Sequence, residues 1–154
     1  MMDFKDKKKR TNKPTITIIS DYSKVPPQAT DLEEAILGGL LIDPAAYMRV
    51  SHFLDDPSVF YKEVHQKILK AIIGLHDRKL GIDLLTITEE LRIWNELDSI
   101  GGPVYLTQLT CKVNSAAHIE YHCMIITDKF LLRELIRIGQ EMQNRAFDGT
   151  IDPL

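Results

Sequence analysis

No stretch constrains this chain more than the run from Asn114 to Phe147. It contains no proline, and Gly139 is its one glycine. Ile119, Cys123, Ile126, Phe130, Arg133 and Arg137 recur every three or four positions. Met124, Leu131, Leu135, Ile138 and Met142 fall on a second series of helical spacing. This periodicity predicts one helix over 114–147, capped by Asn114 or Ser115, whose side-chain oxygens accept from a first-turn amide. A helix of about 30 residues is roughly 45 Å long at ~1.5 Å per residue, against a width of roughly 30 Å for a domain of this size. Its far end should therefore project. Leu131, Leu132, Leu135, Ile136 and Ile138 spread around the cylinder. A projecting helix that is apolar on two sides needs a second surface to bury them. The helix reads as an association element, with Phe130, Leu131, Leu135, Ile136, Ile138 and Met142 as the candidate contact residues.

The 154 residues suffice for one domain with a proper core, plus a tail. A hydrophobic share of 44% with 27% charged residues suits an ordinary globular chain. The net charge of −3 is unevenly spread. Residues 1–25 carry seven basic side chains (Lys5, Lys7, Lys8, Lys9, Arg10, Lys13, Lys24) against Asp3, Asp6 and Asp21, which is +4 and leaves −7 for the rest. An acidic body is a poor platform for a nucleic-acid backbone, so any such contact would belong to the tail. Cys111 and Cys123 are the only cysteines, and no secretory segment precedes them. That usage points to a reducing cytoplasm. No apolar run reaches the ~18 residues that span a membrane.

Residues 1–25 read as a basic, disordered tail, and Pro26-Pro27 opens the domain. Thr30 and Glu33 have the spacing of a capping box, ahead of a helix with Leu32, Ala35, Ile36, Leu40 and Leu41 on one face. Gly38-Gly39 inside that helix costs ~1 kcal/mol per glycine relative to alanine, which close approach of another helix would offset. Asp43-Pro44 starts a short helix running to about Leu54. The next covers about Phe60 to Arg78 and carries His65, read as a packed histidine bonded to backbone or a carboxylate. Asp83 caps a helix with Leu84, Ile87, Leu91 and Trp94 on its core side. Gly101-Gly102 turns the chain, and Pro103 opens a short helix with Tyr105, Leu106 and Leu109. Strand alternation is absent from 26–154. The expectation is an all-α bundle of about six helices: a head over 26–113, the long association helix over 114–147, and at 148–154 the truncated start of another element.

Reactive constellations are scarce. Neither G-x-x-x-x-G-K-[ST] nor G-x-G-x-x-G occurs, so no phosphate-binding loop is expected. His118 and His122 share a helix face beside Cys123, but Ile119 stands where a zinc-protease pattern needs glutamate, and no third ligand is placed. The chain is read as having no catalytic, cofactor-binding or metal residues.

Four stretches carry a resemblance: PPQATDLEEAILGGLLID, FYKEVHQKILKAI, IDLLTITEELRIWNELDSIGGPVYLTQL and NSAAHIEYHCMIITDKFLLRELI. In this order they resemble the N-terminal domain of bacterial replicative DNA helicases, the DnaB family, over about residues 26–147. The resemblance implies a hexameric ring that unwinds DNA at the replication fork, with ATP and magnesium bound in a separate C-terminal domain. It implies N-terminal domains paired into dimers, three dimers forming a collar, and a docking surface for primase. Tyr105 is taken as a further candidate for that surface. The long helix would be the first half of a helical hairpin. The 25-residue tail with its KDKKKR block is longer than the family pattern needs and leaves open a contact with DNA or a helicase loader. Two other readings stand beside this one: a nucleic-acid-binding module acting through the basic tail, and a small metalloenzyme around His118 and His122.

Overall fold

The computed structural model describes residues 24–113 and 115–149. Six α-helices follow in chain order: α1 (Thr30–Ile42), α2 (Ala46–Val50), α3 (Glu63–Asp77), α4 (Leu84–Ile93), α5 (Gly102–Cys111) and α6 (Ile119–Phe147). Short 3-10 turns at Ser51–Phe53, Pro57–Val59 and Asp98–Ile100 join them, and no strand occurs among the described residues. The all-α class and the long final helix agree with the sequence reading. The tail at 1–25 and the segment 148–154 lie outside the described residues, apart from Lys24, Val25, Asp148 and Gly149.

The central element is α1, which packs against α2, α3, α5 and α6. Ile36, Leu37 and Leu40 are completely buried along it. Each such side chain contributes roughly 1.5–3 kcal/mol by leaving water. A helix covered on so many sides has no room for side chains everywhere, which explains Gly38-Gly39. A Cβ on Gly38 would lie 2.3 Å from the Leu109 carbonyl oxygen of α5. A Cβ on Gly39 would lie 3.5 Å from the Ala116 Cβ and Ile119 Cδ1 at the start of α6. The expected close approach therefore comes from two helices at once. Trp94, at the end of α4, is half-buried against Gly74 of α3 with the Lys70 ammonium 5.7 Å above its ring.

Three expectations about helix starts need correction. Ala29, not Thr30, precedes the first turn of α1, and no side chain caps it. Glu33 turns away from its own helix because it is bonded to the segment before α3. That segment accounts for the second difference. The amides of Tyr61 and Lys62 bond to Glu33, so α3 begins at Glu63 and not at Phe60. The third concerns α6, which begins at Ile119, with His118 at the cap position and no side-chain cap bond. Asn114 lies outside the described residues, and Ser115 Oγ accepts only a 3.5 Å contact from the Ala117 amide. Ala116 is pinned instead: its Cβ packs on Gly39 and its carbonyl accepts from Arg49 at 3.3 Å. By contrast, Asp83 caps α4 as expected, in a reciprocal box with Thr86. The predicted helix over 44–54 is split into α2 and a 3-10 turn.

Candidate interaction surface

Two arrangements stand out, one buried in the head and one exposed beyond it. The buried one starts at Glu33, which is 1% exposed. Its Oε1 accepts from the Tyr61 amide at 2.6 Å, and its Oε2 from the Lys62 amide at 3.3 Å. His65 Nδ1, fully buried on α3, lies 2.6 Å from Glu33 Oε2. A carboxylate can only accept, so Nδ1 carries a proton. In the neutral ring Nε2 then accepts from the Tyr105 hydroxyl, 2.7 Å away on α5. Burial alone would raise the Glu33 pKa, but the His65 bond and the two amide bonds outweigh it and hold the carboxyl below its ordinary range. Burial, with the charges of Glu34 and Glu33, pushes the Tyr105 hydroxyl up to about 12, so it remains a donor at neutral pH. Glu34 beside it is bonded to Lys62 at 3.1 Å and to Lys112. His65 is thus a packed histidine on a carboxylate, as expected. The relay ties α1, α3 and α5 together.

The exposed arrangement lies on α6. Ile119, Cys123 and Ile126 are buried against the head, and Phe130 is half-buried on the same stripe. The next residue of that stripe, Arg133, donates to the carbonyls of Pro27 (3.0 Å), Ser58 (3.2 Å) and Val59 (2.8 Å). Beyond it the apolar side chains are open to solvent. Leu131, Leu135 (66% exposed), Ile138 and Met142 (61% exposed) share one flank by their spacing, and Leu132 and Ile136 share another. On the charged side, Arg137 pairs with Glu134 and Glu141 within the helix.

The structure therefore brings together five of the seven candidate contact residues on the outer part of α6: Leu131, Leu135, Ile136, Ile138 and Met142. The other two stand elsewhere. Phe130 packs on the head beneath the Arg133 guanidinium, 5.6 Å from its ring centroid. Tyr105 is half-buried, and its hydroxyl is engaged with His65. It lies on the helix whose outer side forms an open groove of about 460 Å³, lined by Pro103, Val104, Thr107, Gln108, Cys111 and Lys112. The sequence reading assigned no role to Arg133. An arginine following Phe130 on a stripe that is apolar up to that point was the signal available.

Among the described residues, no group of three or more histidine, cysteine or acidic side chains could hold a metal ion. Cys123 faces the core, and burial pushes its thiol up to about 12. No helix of the described residues is long and apolar enough to cross a membrane.

The family described as DnaB-like helicase N terminal domain matches residues 25–128. The chain is 43% identical over 144 residues to the replicative DNA helicase DnaB of Rhodothermus marinus, covering 94% of this chain and 15% of that one. It is 42% identical to the DnaB of Geobacillus stearothermophilus, covering 85% of this chain and 29% of the relative. The chain thus spans well under a third of the length of either relative. Among solved structures, the N-terminal domain of DnaB helicase from Mycobacterium tuberculosis superposes with a TM-score of 0.74 at 32% identity, over 82% of this chain and 89% of that one. A DnaB-like replicative helicase, solved with its interactions with primase, matches with a TM-score of 0.68 at 26% identity, over 77% of this chain and 28% of that one. By fold, by sequence and by the extent of these matches, the chain belongs to the family of DnaB-like helicase N-terminal domains.

Proposed function

We propose that this chain is the interaction domain of a hexameric replicative DNA helicase, pairing with copies of itself and docking primase. Pairing gives dimers, and three dimers give the collar of the ring. Unwinding DNA with ATP and magnesium belongs to a part of the protein outside these residues. The observation that carries the reading is the exposed apolar flank of Leu131, Leu135, Ile138 and Met142, on a helix that packs on the head only as far as Arg133. Apolar residues on one flank of a helix at this spacing pack against a second helix. The relative solved with its interactions with primase supports primase as the second partner. Tyr105 and the α5 groove are the head-side candidates for that contact. The assembly works in the cytoplasm, and a helicase loader and DNA are its further partners.

Light scattering across a range of concentrations tests self-association. The chain should exceed its monomer mass as concentration rises. The double variant Ile136→Ala, Met142→Ala should weaken association at least tenfold while helix content and Trp94 emission stay unchanged. A monomer at every concentration, or a double variant that melts the head, would overturn the pairing role of these residues.

A further inference from the structure

We propose that Arg133 is the positioning residue that aims the outer half of α6, by clamping it to a backbone platform at residues 58–62. The platform is unusually well tied. The Ser58 amide donates to Asp56 Oδ1 at 2.9 Å, and the Val59 and Phe60 amides donate to Asp56 and Pro57 carbonyls. The Tyr61 and Lys62 amides are taken by Glu33. The Phe60 carbonyl accepts from Gln66, and the Lys62 carbonyl from the His65 and Gln66 amides. The Ser58 and Val59 carbonyls are both filled by Arg133. Backbone groups tied together by this many bonds resist shifting one at a time. One buried carboxylate holds the segment by its N–H groups while one guanidinium holds it by its carbonyls.

The guanidinium also reaches the Pro27 carbonyl ahead of α1 and lies over two rings, Tyr61 at 5.7 Å and Phe130 at 5.6 Å. A planar fork with five donors can reach three separated carbonyls and still lie over a ring; an ammonium gathers its three donors at one point and has no plane to stack. The location matters as much as the bonding. Inside Arg133 the stripe is apolar contact, which is non-directional. Outside it, among the described residues, Arg137 pairs with Glu134 and Glu141 of its own helix. Directional bonds between α6 and the platform therefore sit where the helix leaves the head. From there to Phe147 is a lever of ~21 Å, so a tilt of about 10° at Arg133 moves its end by about 4 Å. At Met142, ~13.5 Å out, the same tilt is a shift of about 2 Å, which disturbs its packing against a partner helix.

The test measures aim, not stability. Spin labels are placed at Gln108→Cys on α5 and Gln143→Cys near the end of α6, in a Cys111→Ser background, with labelled chains diluted in unlabelled protein. The parent should give one narrow distance distribution. Arg133→Gln should at least double its width with helix content and Trp94 emission unchanged, and Arg133→Lys should fall between the two. Equal widths in all three would overturn the proposal, because apolar contact would then suffice to aim the helix. Loss of Trp94 emission in Arg133→Gln would overturn it as well, because Arg133 would be holding the head together.

Discussion

Glu33 and His65 form a pair with almost no access to water, and Tyr105 closes the far end of the relay. Tyr105→Phe removes the donor to a buried ring nitrogen, which then lacks a partner. Urea denaturation should show a loss of about 1–3 kcal/mol. His65→Ala should cost more, about 3 kcal/mol, because it strips a buried carboxylate of its strongest partner and leaves only the two amides. The pair Gly38 and Gly39 gives a contrast within one helix. Gly38→Ala drives a methyl into the Leu109 carbonyl and should destabilise by about 1–3 kcal/mol. Gly39→Ala meets ordinary contacts at 3.5 Å and should be tolerated, with up to ~1 kcal/mol of helix propensity regained. A thermal melt of the two variants separates close packing from mere glycine flexibility. Much of this was readable beforehand: two glycines inside an apolar helix, and a histidine near a buried stripe. The partner of that histidine was not. Glu33 and His65 are 32 positions apart, and local spacing assigned Glu33 to a cap.

At the scale of an element, α6 is one continuous helix in two environments. Its inner third buries Ile119, Cys123 and Ile126; its outer part is held by its own backbone and by intrahelical ion pairs such as Arg137 with Glu134 and Glu141. Exposed pairs of this kind contribute little, because water and salt screen them. The outer part is thus the softest long segment described. Gly139, with nothing within 4 Å of where its Cβ would stand, weakens it further. Gly139→Ala should raise helix content and add up to ~1 kcal/mol, read by circular dichroism. If the variant also dissociates the assembly, a partner backbone approaches closest at that position. The apolar flanks were legible from the spacing of Leu131, Leu135, Ile138 and Met142. The start of the helix was not, because tertiary contacts at Ala116 outrank the cap signals of Asn114 and Ser115.

For the whole molecule, pH dependence follows from the buried acids. Glu34, like Glu33, is raised by burial and lowered more strongly by its partners, here Lys112 and Lys62. Both carboxyls end below the ordinary value of 4.5. A lowered folded-state pKa means that the acid's contribution is complete above the unfolded value and is lost as pH falls through the folded one. The urea midpoint should therefore fall as pH drops below about 4.5. Glu34→Gln should make that acid limb shallower. A limb of unchanged slope would mean that other acids dominate it.

By itself the sequence determined the class of fold, the order of the helices, the apolar flanks of the last helix and the family. Each of these depends on periodicity and residue type over short windows, which local chemistry fixes. Only the tertiary structure decided that Glu33 holds the entrance to α3, that Tyr105 is engaged inside the head, and that Arg133 clamps the platform at 58–62. Those contacts join residues 28 to 106 positions apart. They exist because α1 brings α3, α5 and α6 around itself, and no spacing along the chain encodes which polar groups then meet in the space between them.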